Sequence, residues 1–105
     1  LFQLISQKRK TVDVRSNIET YSGFQQGALF LIIQGTRRAL AQVKARREYK
    51  NWEELSHQED LQKIYPGNIP REKFLEWVRR VMSDGDEKGT LAIEFEFLEE
   101  LPSPQ

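Results

Sequence analysis

"GALFLIIQGTRRALAQVKARR", Gly27 to Arg47, passes from the most apolar run of the chain straight into its most basic one, and its reading decides the fold. Ser22 followed three residues later by Gln25 has capping-box spacing, and the residues beyond are rich in Ala, Leu and Gln. Read so, a helix spans residues 22–49, roughly 28 residues and on the order of 40 Å at 1.5 Å per residue. Phe24, Ala28, Leu31, Gly35 and Ala39 then recur at steps of three and four. Gly27 and Gly35 count against it, at about 1 kcal/mol each relative to Ala. The competing reading makes residues 28–34 a buried strand and starts a helix at Thr36. "LIIQGTRR" would then aim free N–H groups and two arginines at an anion, but one glycine without Walker or dinucleotide spacing is a weak signature. The long helix is the expectation carried forward, with residues 28–33 in the core and the basic residues after them presented to a partner.

Outward from this stretch, the chain divides by charge. Up to Lys50 there are ten basic residues and three acids, a surplus of seven positive charges; from Asn51 onward six basic residues meet thirteen acids, so the net charge of zero is a cancellation. A concentrated field of one sign attracts opposite charge, although two such halves can also neutralise one another on folding. On a helix, Arg37, Arg38 and Lys44 would lie opposite the Ala39, Leu40 and Val43 stripe, with Arg46, Arg47 and Lys50 spread round its end. These six are the candidate partner-binding residues. Tyr49 and Trp52 beside them are suited to base stacking or to a core.

The N-terminal "LFQLISQKRKTVDVRS" offers two short strands, residues 2–6 and 11–16, the second because Val12 and Val14 alternate with Thr11, Asp13 and Arg15. A single N-terminal helix using Leu1, Leu4, Ile5 and Val12 is the competing reading. Trp52, Leu55, Leu61, Ile64 and Tyr65 have helical spacing over residues 52–65, and Glu53 and Glu54 suit the positive end of such a helix. "YPGNIP" breaks the chain, with Asn68 able to cap a second helix and Pro70 suited to its first turn. Phe74, Trp77, Val78 and Val81 form the apolar stripe of that helix. After "SDGDEKG", residues 90–98 alternate Leu91, Ile93, Phe95 and Phe97 with Ala92, Glu94, Glu96 and Leu98, which is the period of a strand. The expected architecture is α+β: about three helices, the first long, packed on a small antiparallel sheet, with an all-α bundle as the alternative. Residues 1–101 form one domain and 102–105 a tail.

Chemistry has little to work with. Asp84, Asp86, Gly89 and Leu91 fall at positions one, three, six and eight of an EF-hand loop, but Lys88 occupies position five and Phe95 position twelve, where oxygen ligands belong. His57 is the only histidine, and Ser56, Glu59 and Asp60 are too near along one helix to assemble a triad with it. Glu94 and Glu96 share a strand face and could pair for acid–base work, although outward charges also protect a sheet edge. With no cysteine there is no disulfide, thiolate metal site or cysteine nucleophile, and a cytoplasmic setting is expected. The apolar run from residue 28 to 33 is far short of the roughly 20 residues that span a bilayer. The opening "LFQLIS" has neither a methionine nor a secretory pattern, which suggests a piece of something longer or a processed chain.

Together these features favour a non-enzymatic protein-interaction or assembly module without cofactor, metal or evident small-molecule substrate. It would bind an acidic protein surface, or a second copy of itself, through Arg37, Arg38, Lys44, Arg46, Arg47 and Lys50. The alternative is a nucleic-acid-binding domain contacting phosphates through the same segment.

Overall fold

A computed structural model describes residues 2–8 and 10–102. Its architecture is α+β, as expected, and not an all-α bundle. In chain order the elements are α1 (Phe2–Ser6), β1 (Val12–Ser16), a 3-10 turn at Glu19–Tyr21, β2 (Leu29–Gln34), β3 (Arg37–Tyr49), α2 (Trp52–Gln58), α3 (Leu61–Ile64), α4 (Arg71–Val81), α5 (Gly85–Lys88) and β4 (Thr90–Leu101). The four strands form one antiparallel sheet in the order β1-β4-β3-β2.

The long helix expected over residues 22–49 is instead a β-hairpin, and the helix that the competing reading starts at Thr36 is absent too. Gln34 pairs with Arg37 across the two-residue loop Gly35–Thr36, and Gly35 takes φ 60° at the first loop position, a conformation glycine adopts without a Cβ penalty. Ala39, Ala41 and Val43 are fully buried at alternate positions of β3. Burial between β2 and β4 overrides the helix preference of alanine, because each small side chain leaves room for the Phe30, Phe95 and Phe97 rings packed on that face. Residues 2–6 are a short helix, not a strand, whereas the strand expected over 11–16 is present as β1.

The expected helix over 52–65 divides at Glu59. Asn51 caps α2 by accepting from the Glu54 N–H at 2.9 Å, and Asp60 caps α3 by accepting from Gln62 N–H at 3.0 Å. Asn68 does not cap α4; it has φ 59° and accepts from Gln62 Nε2. α4 begins directly after Pro70 with the expected stripe, of which Phe74 and Val78 are buried while Trp77 and Val81 stay exposed.

The sheet separates two apolar layers. On one face Val12, Val14 and Ala92 pack with Trp52, Leu55, Ile64, Phe74 and Val78 from the helices. On the other, Val43, Leu91 and Ile93 meet Tyr21, Phe24 and Phe30, and Ala41 and Phe95 meet Ile5 of α1. β3 and β4 hold the sheet together, but their register slips twice. Lys44 has no counterpart between Val43↔Phe95 and Ala45↔Glu94, and Leu98 has none between Leu40↔Glu99 and Ala41↔Phe97. Such bulges bend a strand and increase twist, and here the sheet curls until β1 and β2, its two edges, flank a common cleft.

Candidate functional site

The Lys44 bulge decides where the basic segment points. Before it, Ala39, Ala41 and Val43 face the concave side; after it, parity is reversed, so Arg46 and Glu48 lie on the concave side and Ala45, Arg47 and Tyr49 on the helical side. The cationic surface expected from a helix is therefore dispersed over a strand. Arg37 Nη2 lies 2.8 Å from Glu100 Oε1 and Lys44 Nζ 3.1 Å from Glu96 Oε2. Arg38 Nη2 donates to the Pro102 carbonyl at 2.7 Å. Lys50 is exposed at the end of the strand.

Arg46 and Arg47 are the most firmly held. Arg47 forms a bidentate pair with Glu59, at 2.6 and 2.8 Å, and donates to Glu94 Oε1 at 3.0 Å, while the Tyr49 hydroxyl also donates to Glu59. Burial would raise the Glu59 carboxyl, but hydrogen bonds from Arg47 and Tyr49 outweigh it and hold the group below its ordinary value. Burial and the Glu59 charge push the Tyr49 phenol up to about 12. This cluster ties the end of α2 to the sheet. Arg46, with only 10% of its side chain exposed, donates from Nη1 to the Tyr21 carbonyl at 2.7 Å and to that of Phe24 at 3.4 Å. It thereby holds the segment that forms a wall of the cleft.

That cleft, of about 330 Å³, lies between β1 and β2 and has Ile93 and Phe95 of β4 as its floor. One side carries Lys10, Asp13 and Arg15; the other carries Tyr21, Phe24 and Phe30. The rings run in sequence, Tyr21 edge-on to Phe24 at 5.9 Å, Phe24 tilted against Phe30 at 5.2 Å, and Phe30 edge-on to Phe95 at 5.8 Å. Arg15 sits over the Tyr21 ring at 5.8 Å and donates from Nε to Asp13 at 2.8 Å. Lys10, 11% exposed, donates to the carbonyls of Val12 and Ile64 at 3.0 and 2.9 Å and lies 3.7 Å from Asp13. Burial pushes its ammonium below the ordinary value, with Asp13 opposing and Arg15 reinforcing. Formally the triad carries one net positive charge beside flat apolar rings.

These residues were missed as a site by sequence reasoning. Asp13 and Arg15 were noticed only as the polar positions of a strand. The available signal was Lys10-x-x-Asp13-x-Arg15, which places the last two on one strand face and the lysine just before it. The aromatic wall carried no such signal, because Tyr21 and Phe24 come from a connection and meet Phe30 only through the curl of the sheet.

The other candidates are engaged in the fold. Asp84 accepts from the Ser16 hydroxyl at 2.5 Å, and Asp86 accepts from Trp52 N–H at 3.1 Å and from Arg79 Nε at 2.8 Å. Asp84 directly precedes α5 and Asp86 lies within it. His57 is exposed and its Nδ1 lies 2.9 Å from Arg71 Nη1. Glu94 and Glu96 do share a face, where Arg47 and Lys44 pair with them. Among the described residues, no group of three or more His, Asp or Glu side chains is placed to hold a metal ion. Among them also, no helix is long and apolar enough to cross a membrane.

No protein-family model matches the chain, and no curated protein matches it in sequence. Two solved structures are similar. The crystal structure of hypothetical protein PH0355 has a TM-score of 0.80 at 22% identity, over 91% of this chain and 89% of that one. The solution structure of protein PF0455 from Pyrococcus furiosus has a TM-score of 0.72 at 27% identity, over 92% and 88%. The likeness extends over about nine-tenths of each chain, and the names carry no activity.

Proposed function

We propose that this domain binds single-stranded nucleic acid, with an unpaired base in the cleft between β1 and β2. The observation that carries this reading is the convergence of Lys10, Asp13 and Arg15 with Tyr21, Phe24 and Phe30 on one concave site. A nucleotide unit of a strand presents one phosphodiester charge and one flat ring, and the cleft offers one net positive charge and a wall of rings. Asp13 supplies an acceptor for a base N–H or exocyclic amine. The nucleic-acid role considered from the sequence is thus kept but moved, since Arg37, Lys44 and Arg47 are spent on acidic groups of the second half of the chain. The cysteine-free composition suits the cytoplasmic setting we assign to it.

The test is fluorescence anisotropy of labelled single-stranded and duplex oligonucleotides, of both sugars, at low and near-physiological salt. Saturable, salt-sensitive binding to single strands that is lost in Arg15→Glu and Phe24→Ala, and kept in Arg37→Glu, supports the cleft. Binding to no oligonucleotide at low salt overturns it.

A second reading has its own observation. Leu29, Leu31 and Ile33 are all exposed on the face of β2 turned away from the cleft aromatics, on a strand free of charged residues. An uncharged edge strand with an apolar outer face favours association with another chain, which retains the interaction-module reading at a different surface. Light scattering should then show self-association in the native chain and a monomer in Leu31→Lys; a monomer in both at high concentration disposes of self-association.

A further inference from the structure

Beside the cleft lies a second groove of about 610 Å³, bounded by Leu4 of α1, the end of α3 and the outer side of α4. It shares Lys10, Asp13 and Arg15 with the first, so the triad forms a partition with one concavity on each side. Its floor is apolar, from Val14, Ile64 and Met82, and its rim carries Tyr65 and Trp77. The two rings stand 6.5 Å apart at 53°, and Trp77 leans on the core through Phe74 at 6.4 Å. Yet Tyr65 is 53% and Trp77 38% exposed. Large aromatic side chains held in place from behind and left open to solvent have the geometry on which a base can stack.

We propose that this groove is a second base subsite, in which Tyr65 and Trp77 receive a nucleotide of the strand whose other base occupies the first cleft. The inference rests on the nucleic-acid reading above and specifies it: the minimal ligand is an oligonucleotide that straddles the partition, not a single nucleotide. Continuity and charge argue for this occupant. The wall between the two concavities carries Lys10 and Arg15, and a strand crossing from one base site to the other must bring a phosphate over that wall. Lys10 is seated there because the Val12 and Ile64 carbonyls hold its ammonium. An apolar peptide would gain nothing from the two cations, whereas a phosphodiester does.

The experiment is competition of unlabelled mono-, tri- and hexanucleotides, each with a 5′-phosphate, against a labelled hexanucleotide bound to the full chain. The native protein should prefer the trinucleotide to the mononucleotide by more than tenfold, with little further gain for the hexanucleotide. Tyr65→Ala and Trp77→Ala should each weaken trinucleotide binding about tenfold, the worth of one stacked base, and leave mononucleotide binding unchanged. Trp77→Phe keeps a ring and should retain most of the affinity, which separates stacking from any loss of fold. Equal affinity for mono- and trinucleotide in the native protein, or native trinucleotide affinity in both alanine variants, overturns the second subsite and leaves the first standing. If no nucleotide of any length binds the native chain, the nucleic-acid reading itself fails, and this inference with it.

Discussion

Arg46 and Arg15 are both arginines on the concave side of the sheet, and their surroundings give them different work. Arg46 is nearly enclosed and bonds two main-chain carbonyls, so its replacement by Met should loosen the Tyr21–Phe24 wall without removing a phosphate contact. Arg15 stands on the partition. In a salt titration of oligonucleotide binding, Arg46→Met should therefore lower affinity at an unchanged slope of log K against log salt, whereas Arg15→Ala should reduce that slope by about 1. Glu59 makes a prediction about pH. Its folded carboxyl lies below the ordinary 4.5, so its contribution to stability is complete above that value and is lost as pH falls through the lower, folded one. Glu59→Gln should be less stable than the native chain at pH 7, by about 2–3 kcal/mol. This is below the ~3–5 kcal/mol of fully buried pairs, because Arg47 keeps 35% of its side chain exposed and can rehydrate. The gap between the two proteins, followed by urea unfolding from pH 7 to pH 3, should narrow on the acid side. A gap that widens would contradict the assignment.

At the scale of the element, β3 shows how one residue redirects a strand. Lys44 is the unopposed residue of a bulge, beyond which Arg46 faces the cleft wall and Arg47 and Tyr49 the helical layer. Deleting Lys44 would close the bulge and leave residues 45–49 on their present faces, because Val43 already pairs with Phe95 and Ala45 with Glu94 on either side of it; what would be lost is the local bend. The deletion should therefore keep a cooperative thermal transition, its cost limited to the lost bend and the Lys44–Glu96 pair, and Lys44→Ala, which keeps the residue count, should change stability by no more than about 0.5 kcal/mol; a deletion variant without a cooperative transition would contradict this register. This strand is also where local pattern and tertiary structure disagree. The period of two is present in "RALAQVKA", but alanine, glutamine and the capping-box spacing at Ser22 also satisfy a helix, and Gly35 looks like a flaw in that helix until it is seen as a hairpin loop. β1, β4 and α4 were legible because Val, Phe and Glu alternation, or a clean 3.6-residue stripe, fits only one period.

Across the whole molecule, the charge split has a structural use. The acids that meet Arg37, Lys44 and Arg47 are Glu100, Glu96, Glu94 and Glu59, all from the second half of the chain, so part of the surplus charge of each half is met by the other. The central pairing, β3 with β4, joins residues about 40 to 60 positions apart, and β1 with β4 joins residues nearly 80 apart. A fold held by contacts of such separation must close long loops before they stabilise it. Stopped-flow refolding should accordingly proceed in milliseconds to seconds, not in the microseconds of a local helical bundle.

That the chain mixes helices with an antiparallel sheet, that its basic and acidic halves could neutralise one another, and that α4 and β4 lie where they do can be read from the residues alone. Those are properties of local period and of composition, which each segment carries alone. Only the tertiary structure decided that residues 29–49 are a hairpin, because that choice is made by burial between neighbouring strands and not by the residues' own preferences. It decided the cleft for the same reason. Lys10, Asp13 and Arg15 meet Tyr21, Phe24 and Phe30 only when two bulges curl the sheet and bring its edges to one site, and a bulge is a mismatch between two strands that neither sequence announces on its own.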